Sequence, residues 1–124
     1  LINNSKVVHI EWVDDIRGKL KLCHVFVLPS YREGIPRSVI EALAVGRPII
    51  TTDAPGCRET VVQGENGLLV PIKNVNLLAN AMSKMLKKKN ILKIMGINSR
   101  KISEEKFDDV IIANKMINAM GIKL

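Results

Sequence analysis

Aromatic side chains are nearly missing from this sequence: Phe, Tyr and Trp make up 3% of its 124 residues. The 47% hydrophobic fraction therefore rests on Ile, Leu, Val, Met and Ala. Such a supply suits a parallel sheet, whose strands are apolar on both faces. Cysteine is also scarce. Cys23 and Cys57 show neither metal-ligand spacing nor a disulfide framework, so a reduced, cytoplasmic setting is expected. The longest apolar runs, such as residues 25–29, fall far short of the roughly 20 residues needed to cross a bilayer. No signal-peptide pattern opens the chain. It starts at Leu1 rather than Met, inside sequence that reads as ordered, as expected of a piece cut from a longer protein.

Acids are absent from residues 84–101, which hold Lys84, Lys87, Lys88, Lys89, Lys93, Arg100 and Lys101. Much of the net charge of +7 lies there, from 19 basic and 12 acidic residues. No aromatics interleave these cations, which argues against nucleic acid. A solvated helix face is the plain reading, and peripheral contact with anionic headgroups of the inner membrane is the partner such a stretch suits best.

The length allows one domain, large enough to bury about two-thirds of its unfolded surface. Apolar periodicity predicts strands over 6–10, 25–28, 48–52 and 68–70 and helices over 16–23, 36–45 and 56–62. Asp14 or Asp15 is expected to cap the first helix. Pro36 suits the first helical position of the second, Gly46 its left-handed stop, and Val39, Ile40, Leu43 and Ala44 its apolar stripe. From residue 74 onward the pattern is helical, over 75–88, 91–102 and 104–120. Strands alternating with helices imply an α/β fold, a Rossmann-like doubly wound parallel sheet with a helical C-terminal tail. So long a tail on so small a domain suggests that part of it packs on something else.

Parallel sheets bind ligands beyond the carboxyl ends of their strands. The loop after residues 25–28 leads straight into a helix start. Unpaired N–H groups there, carrying about half a positive charge, attract phosphate without a metal. Gly34 allows close main-chain approach. Glu33 and Glu41, with seven residues between them, bracket that start. From Arg37 to Glu41 a helix rises about 6 Å, so a diphosphate at the start has one carboxylate toward each end. Carboxylates accept hydrogen bonds from sugar hydroxyls, which suits Glu33 to a hexose and Glu41 to a ribose. The plainer alternatives are a surface pair between Glu41 and Arg37 and an ordinary loop acid at Glu33.

Residues 26–43, with Pro29, Ser30, Glu33, Gly34 and Glu41, resemble the E-x7-E segment of the family 4 (group 1) glycosyltransferases. Residues 47–59 resemble that family's next strand, loop and helix, and residues 66–71 its following turn and strand. The three blocks keep the family's order, and the likeness covers about residues 6–83. It implies that residues 1–124 are a truncated C-terminal donor-binding half of a GT-B fold, with the N-terminal acceptor domain absent. It further implies a nucleoside-diphosphate sugar as substrate, retention of anomeric configuration, and no metal or other cofactor. Glu33 then contacts the donor sugar as the catalytic carboxylate, and Glu41 contacts the ribose. Main-chain groups at Gly34, Ile35, Arg37 and Ser38 hold the diphosphate and sugar. Pro36 has no N–H to give. Trp12 and Val13 match the stretch near the base, although Glu11 replaces the usual Gly. His24 stands where the family usually has Asp.

The wording around Glu33 and Asp53 is most similar to enzymes of bacterial capsule, exopolysaccharide and lipopolysaccharide assembly. These mostly use UDP-hexoses or UDP-N-acetylhexosamines, with glycan or lipid-linked acceptors. The family's diphosphate-steadying Arg and Lys lie upstream of Leu1, so the isolated chain is expected to be inactive. Two other readings stay open: a sugar-nucleotide epimerase of the same architecture, and a non-catalytic nucleotide- or protein-binding module. A metal-dependent single-domain transferase lacks its Asp-x-Asp here; Asp14–Asp15 and Asp108–Asp109 are adjacent pairs and Asp53 stands alone. Ser30 lacks a nucleophile elbow, and His9 and His24 read as packing or surface residues.

Overall fold

A computed structural model describes residues 6–121. The outermost residues of the expected 1–124 domain, 1–5 and 122–124, lie outside the described residues. In chain order the elements are α1 (Arg17–Leu22), β1 (Phe26–Leu28), α2 (Arg37–Ala44), β2 (Ile49–Thr52), a 3-10 turn at Arg58–Thr60 and β3 (Gly67–Val70). Three helices follow: α3 (Val75–Lys87), α4 (Lys89–Lys106) and α5 (Asp109–Ala119). The strands form one parallel sheet in the order β1-β2-β3, with Val27 opposite Ile50 and Ile50 opposite Leu68.

Strand side chains alternate between faces, and the core divides accordingly. Ile49 joins Leu20, Val39, Ala42 and Leu43 on the side of α1 and α2, with Phe26 and Leu28 packed against them. Ile50 joins Val70, Ala81, Met85 and Met95 on the side of α3 and α4, with Val25 and Val27 alongside. Helices thus cover both faces of a parallel sheet, the doubly wound α/β arrangement expected. β2 is buried along its whole length, whereas β1 has a strand on one side only among the described residues.

Local chemistry explains most of the boundaries. Asp15 accepts the Arg17 N–H at 3.0 Å and opens α1. α2 closes on a Schellman pair, Gly46 N–H to Leu43 O and Arg47 N–H to Ala42 O, both 2.9 Å. Gly46 holds φ +73° there, as expected. α4 runs so close to this turn that a Cβ on Gly96 would come within 2.5 Å of Gly46 O.

Five expectations need correction. Residues 6–10 form no strand; Val7, Val8 and Ile10 are exposed, and among the described residues no strand pairs with them. β-branched residues favour extension, but a strand exists only with a ladder partner. Pro36 is the cap of α2 rather than its first helical residue, with ψ 118° and its carbonyl accepting the Val39 and Ile40 N–H groups. The buried stripe of α2 is Val39, Ala42 and Leu43, with Ile40 and Ala44 half-buried, because the helix leans on α4 as well as the sheet. The helix over 56–62 shrinks to the 3-10 turn, since buried Asn66 takes the Val62 N–H and donates to Thr60 O, drawing Val61 into extension. Finally, α4 continues past Ser103, which is buried, to Lys106; α5 starts only where Asp108 caps the Val110 and Ile111 N–H groups.

Candidate functional site

β1 and β2 end side by side, and two threonines of β2 tie down the chain that leaves β1. Thr51 Oγ1 donates to Leu28 O at 2.8 Å, and the Thr52 hydroxyl donates to Ser30 O. The loop that follows is held from within and from outside. Ser30 Oγ donates to Glu33 Oε1 at 2.7 Å, and the Glu33 N–H reaches Pro55 O at 3.2 Å. The loop after β2 lies directly on the Glu33–Gly34 main chain. Gly56, at φ +83°, makes this approach: a Cβ there would stand 1.9 Å from Gly34 O and 2.2 Å from Glu33 O.

From that loop the chain enters α2. Pro36 gives no side-chain cap, so the first N–H groups, at Arg37 and Ser38, open outward without one. Arg37 and Ser38 are exposed, as are Glu33, Gly34 and Ile35. A helix beginning uncapped at the carboxyl ends of parallel strands presents its positive end to the crevice.

Glu41 sits one turn further along on the side of α2 turned from the sheet. It lines a cleft of about 1000 Å³ together with Val13, Asp14, Ile16, Arg37 and Arg47. Arg37 Nε lies 3.4 Å from Glu41 Oε1, so the plain surface pair exists as well. The Arg37 side chain is 91% exposed and that of Glu41 35%, which makes the pair a weak tether. Val13 shares the cleft with Glu41, while Trp12 lines a neighbouring hollow with Ile10 and Glu11. The structure therefore brings Arg37, Glu41 and Val13 to one cavity. Glu33, Gly34, Ile35 and Ser38 stand outside its walls, on the loop and first turn. Neither carboxylate is buried behind the sheet.

Residues 1–102 match the family described as Glycosyl transferases group 1. The chain belongs to this glycosyltransferase family. Among curated relatives, it is 37% identical over 112 residues to a capsular polysaccharide biosynthesis glycosyltransferase of Staphylococcus aureus, covering 90% of this chain and 30% of that protein. It is 33% identical over 116 residues to the N,N'-diacetylbacillosaminyl-diphospho-undecaprenol alpha-1,3-N-acetylgalactosaminyltransferase of Campylobacter jejuni, covering 94% and 31%. Its fold superposes on Anabaena HepE in complex with UDP and glucose with a TM-score of 0.81 at 24% identity, covering 88% of this chain and 30% of that one. The chain thus spans about 30% of the length of the relatives it matches, and its sheet is the Rossmann-like sheet of the GT-B glycosyltransferases.

Some features of this glycosyltransferase crevice escape a reading of the sequence. Gly56 reads there as the start of a helix; the Pro55-Gly56 pair after a buried strand was the available turn signal. Tyr31 and Lys73 also go unnoticed. Lys73 Nζ lies 5.4 Å from the Tyr31 ring centre, and both border a 220 Å³ hollow on the far side of the loop. On the α1 side, the Arg17 guanidinium holds the Asp15 carboxyl below its usual range, so the cleft wall keeps a charged pair.

Proposed function

We propose that this chain is the donor-binding half of a retaining glycosyltransferase that works on the cytoplasmic side in bacterial surface polysaccharide synthesis. Its donor is a nucleoside-diphosphate sugar, a UDP-hexose or UDP-N-acetylhexosamine, and its acceptor a glycan or lipid-linked sugar held by a further domain. One observation carries the reading: the uncapped start of α2 lies between Glu33 on its loop and Glu41 at the cleft it shares with Val13.

In this reading the diphosphate lies at the α2 start, on the N–H groups of Arg37 and Ser38. Glu41 accepts from the ribose hydroxyls and Glu33 from those of the sugar, with Gly34 and Ile35 giving main-chain contacts. Transfer breaks the bond between anomeric carbon and diphosphate oxygen while an acceptor hydroxyl oxygen takes its place and gives its proton to the leaving diphosphate. Negative charge grows on the leaving phosphate, and preorganised dipoles aimed at it lower the barrier. No metal is required for that step. The names of the relatives support the reading: one serves capsule synthesis, one moves an N-acetylhexosamine onto a diphospho-undecaprenol sugar, and HepE holds UDP.

The test uses the longer protein. Titration calorimetry with UDP-N-acetylglucosamine and UDP-glucose should give heat with one of them, and Glu41→Gln should weaken that binding about tenfold or more, the scale of a lost hydrogen bond to a charged group. Unchanged affinity in both Glu33→Gln and Glu41→Gln would sink the assignment. Product analysis with and without acceptor separates transfer from epimerisation, and the anomeric proton coupling of the product reports retention.

A further inference from the structure

At the other end of the sheet from the crevice, a surface with a different character forms around the α3–α4 junction and the first half of α4. The stretch 84–101 holds seven Lys or Arg and no acid. Aliphatic side chains stand bare among these cations: Leu86 is 57% exposed, Ile94 59% and Ile97 61%. Helix periodicity puts Lys93, Ile94, Ile97 and Lys101 on one side of α4, opposite buried Met95, Ser99 and Ile102. The first acids beyond the stretch, Glu104 and Glu105, pair with Arg100 and Lys101. Among the described residues, Lys87, Lys88, Lys89 and Lys93 make no ion pair.

Beside this face lies a cleft of about 390 Å³, walled by His24, Arg47, Lys93, Ile97 and Arg100 and by no acid. Arg47 Nη1 donates to Cys23 O at 2.9 Å, but its Nε is buried with no partner. Arg100 is engaged as well, its Nε with Glu104 Oε1 at 2.7 Å and its Nη1 with Ala44 O at 2.6 Å. His24 also borders the neighbouring hollow containing Met82 and Leu86, so the cleft, Leu86 and the lysine turn are continuous.

A merely solvated helix face intersperses acids with its lysines and keeps large aliphatics few. Lysines ringing exposed Ile and Leu are the chemistry of a membrane interface, where aliphatic groups enter the headgroup boundary and lysine stems carry their charge to the phosphates. No helix among the described residues is long and apolar enough to cross a membrane, so the contact is with a surface.

We infer that the α3–α4 junction and the outward face of α4 dock on an anionic phospholipid surface. Leu86, Ile94 and Ile97 enter the headgroup layer, and Lys87, Lys88, Lys89 and Lys93 meet its phosphates. This docking stands apart from the donor reading: it uses α3 and α4, whereas the Glu33 loop and the start of α2 lie at the opposite strand ends.

Co-sedimentation of the 124-residue chain with vesicles tests it, with circular dichroism confirming that each variant is folded. Vesicles of phosphatidylglycerol mixed with phosphatidylcholine should bind the chain, and pure phosphatidylcholine should not. Combined Lys87→Glu, Lys88→Glu and Lys89→Glu should lower the partition about a hundredfold or more, each lysine near an anionic surface being worth about 1 kcal/mol. Ile94→Ser with Ile97→Ser should lower it further than any change in salt dependence explains. No binding to the anionic vesicles overturns the inference. So does full binding by the double Ser variant, which marks a solvated charged face only. Preference for a single-stranded RNA oligomer, or for inorganic phosphate that displaces the chain from vesicles at constant ionic strength, also overturns it.

Discussion

α2 and α5 are both apolar helices, and they meet opposite fates. α2 buries Val39, Ala42 and Leu43 completely between α1, α4 and the sheet. α5 carries Val110, Ile111, Ile112, Met116 and Ile117 behind a well-formed Asp108 cap, yet buries none of its residues. The same contrast separates β2, buried throughout, from residues 6–10, whose β-branched Val7, Val8 and Ile10 are exposed. Apolar content supplies a tendency to be covered; a finished surface within reach supplies the cover. Toward both ends of the described residues, apolar side chains such as Val8, Trp12, Val110 and Met116 stay exposed.

The largest expected effect separates the two helices directly. Leu43→Ala should cost about 3 kcal/mol of stability in urea denaturation, as emptied core sites do. Met116→Ala should stay within about 0.5 kcal/mol, as exposed sites do. Equal losses would abolish the distinction between a packed centre and an uncovered end.

A somewhat smaller effect is expected at Gly56, where packing meets the crevice. Gly56→Ala forces a Cβ onto the Glu33 and Gly34 carbonyls at positive φ and should cost about 2 kcal/mol. In the longer protein it should also weaken donor binding, because the Glu33 loop must shift. The control Gly18→Ala, where a Cβ meets nothing within 4 Å, should change neither.

Thiol reactivity sharpens the comparison on a finer scale. Burial pushes the Cys23 thiol up, with Arg47 working against it. A raised value leaves less thiolate at any given pH, so alkylation of Cys23 should stay slow near neutrality and climb only above the ordinary thiol range. Cys57, fully buried, should react only as the whole domain unfolds. Fast labelling of Cys57 under native conditions would show that the centre opens locally.

The smallest effect is expected for Arg37→Ala, which removes the exposed partner of Glu41. Its stability cost should be a few tenths of a kcal/mol. A cost of about 2 kcal/mol would mean that Glu41 is held structurally, with little freedom to meet a ligand.

Much of this was legible beforehand. β2 lies within one residue of its expected bounds, since its run of buried β-branched residues is bounded by Pro48 and Asp53. α2 ends at Gly46 as expected, because a left-handed stop is a property of glycine itself. The E-x7-E spacing placed both carboxylates near one helix start. Less visible were the features made by distant partners. Nothing near residues 6–10 discloses that the described residues bring them no ladder, and nothing near residue 56 discloses that two carbonyls 22 and 23 residues upstream sit against it. Likewise, a run of polar and apolar residues from 89 to 119 reads as helix at every point, and the choice between Ser103 and Asp108 as the break depended on Ser103 being buried.

By itself, the sequence determined the order of elements from α1 to β2, the helix stop at Gly46 and the spacing of Glu33 and Glu41, because these follow from covalent geometry and near-neighbour hydrogen bonds. Only the tertiary structure decided that Glu41 looks into a cleft with Val13, that Gly56 lies on the Glu33 loop, and that Arg47 joins α4 in walling a cationic cleft. Those outcomes arise where chain segments far apart in sequence come within van der Waals reach, and no local preference carries that information.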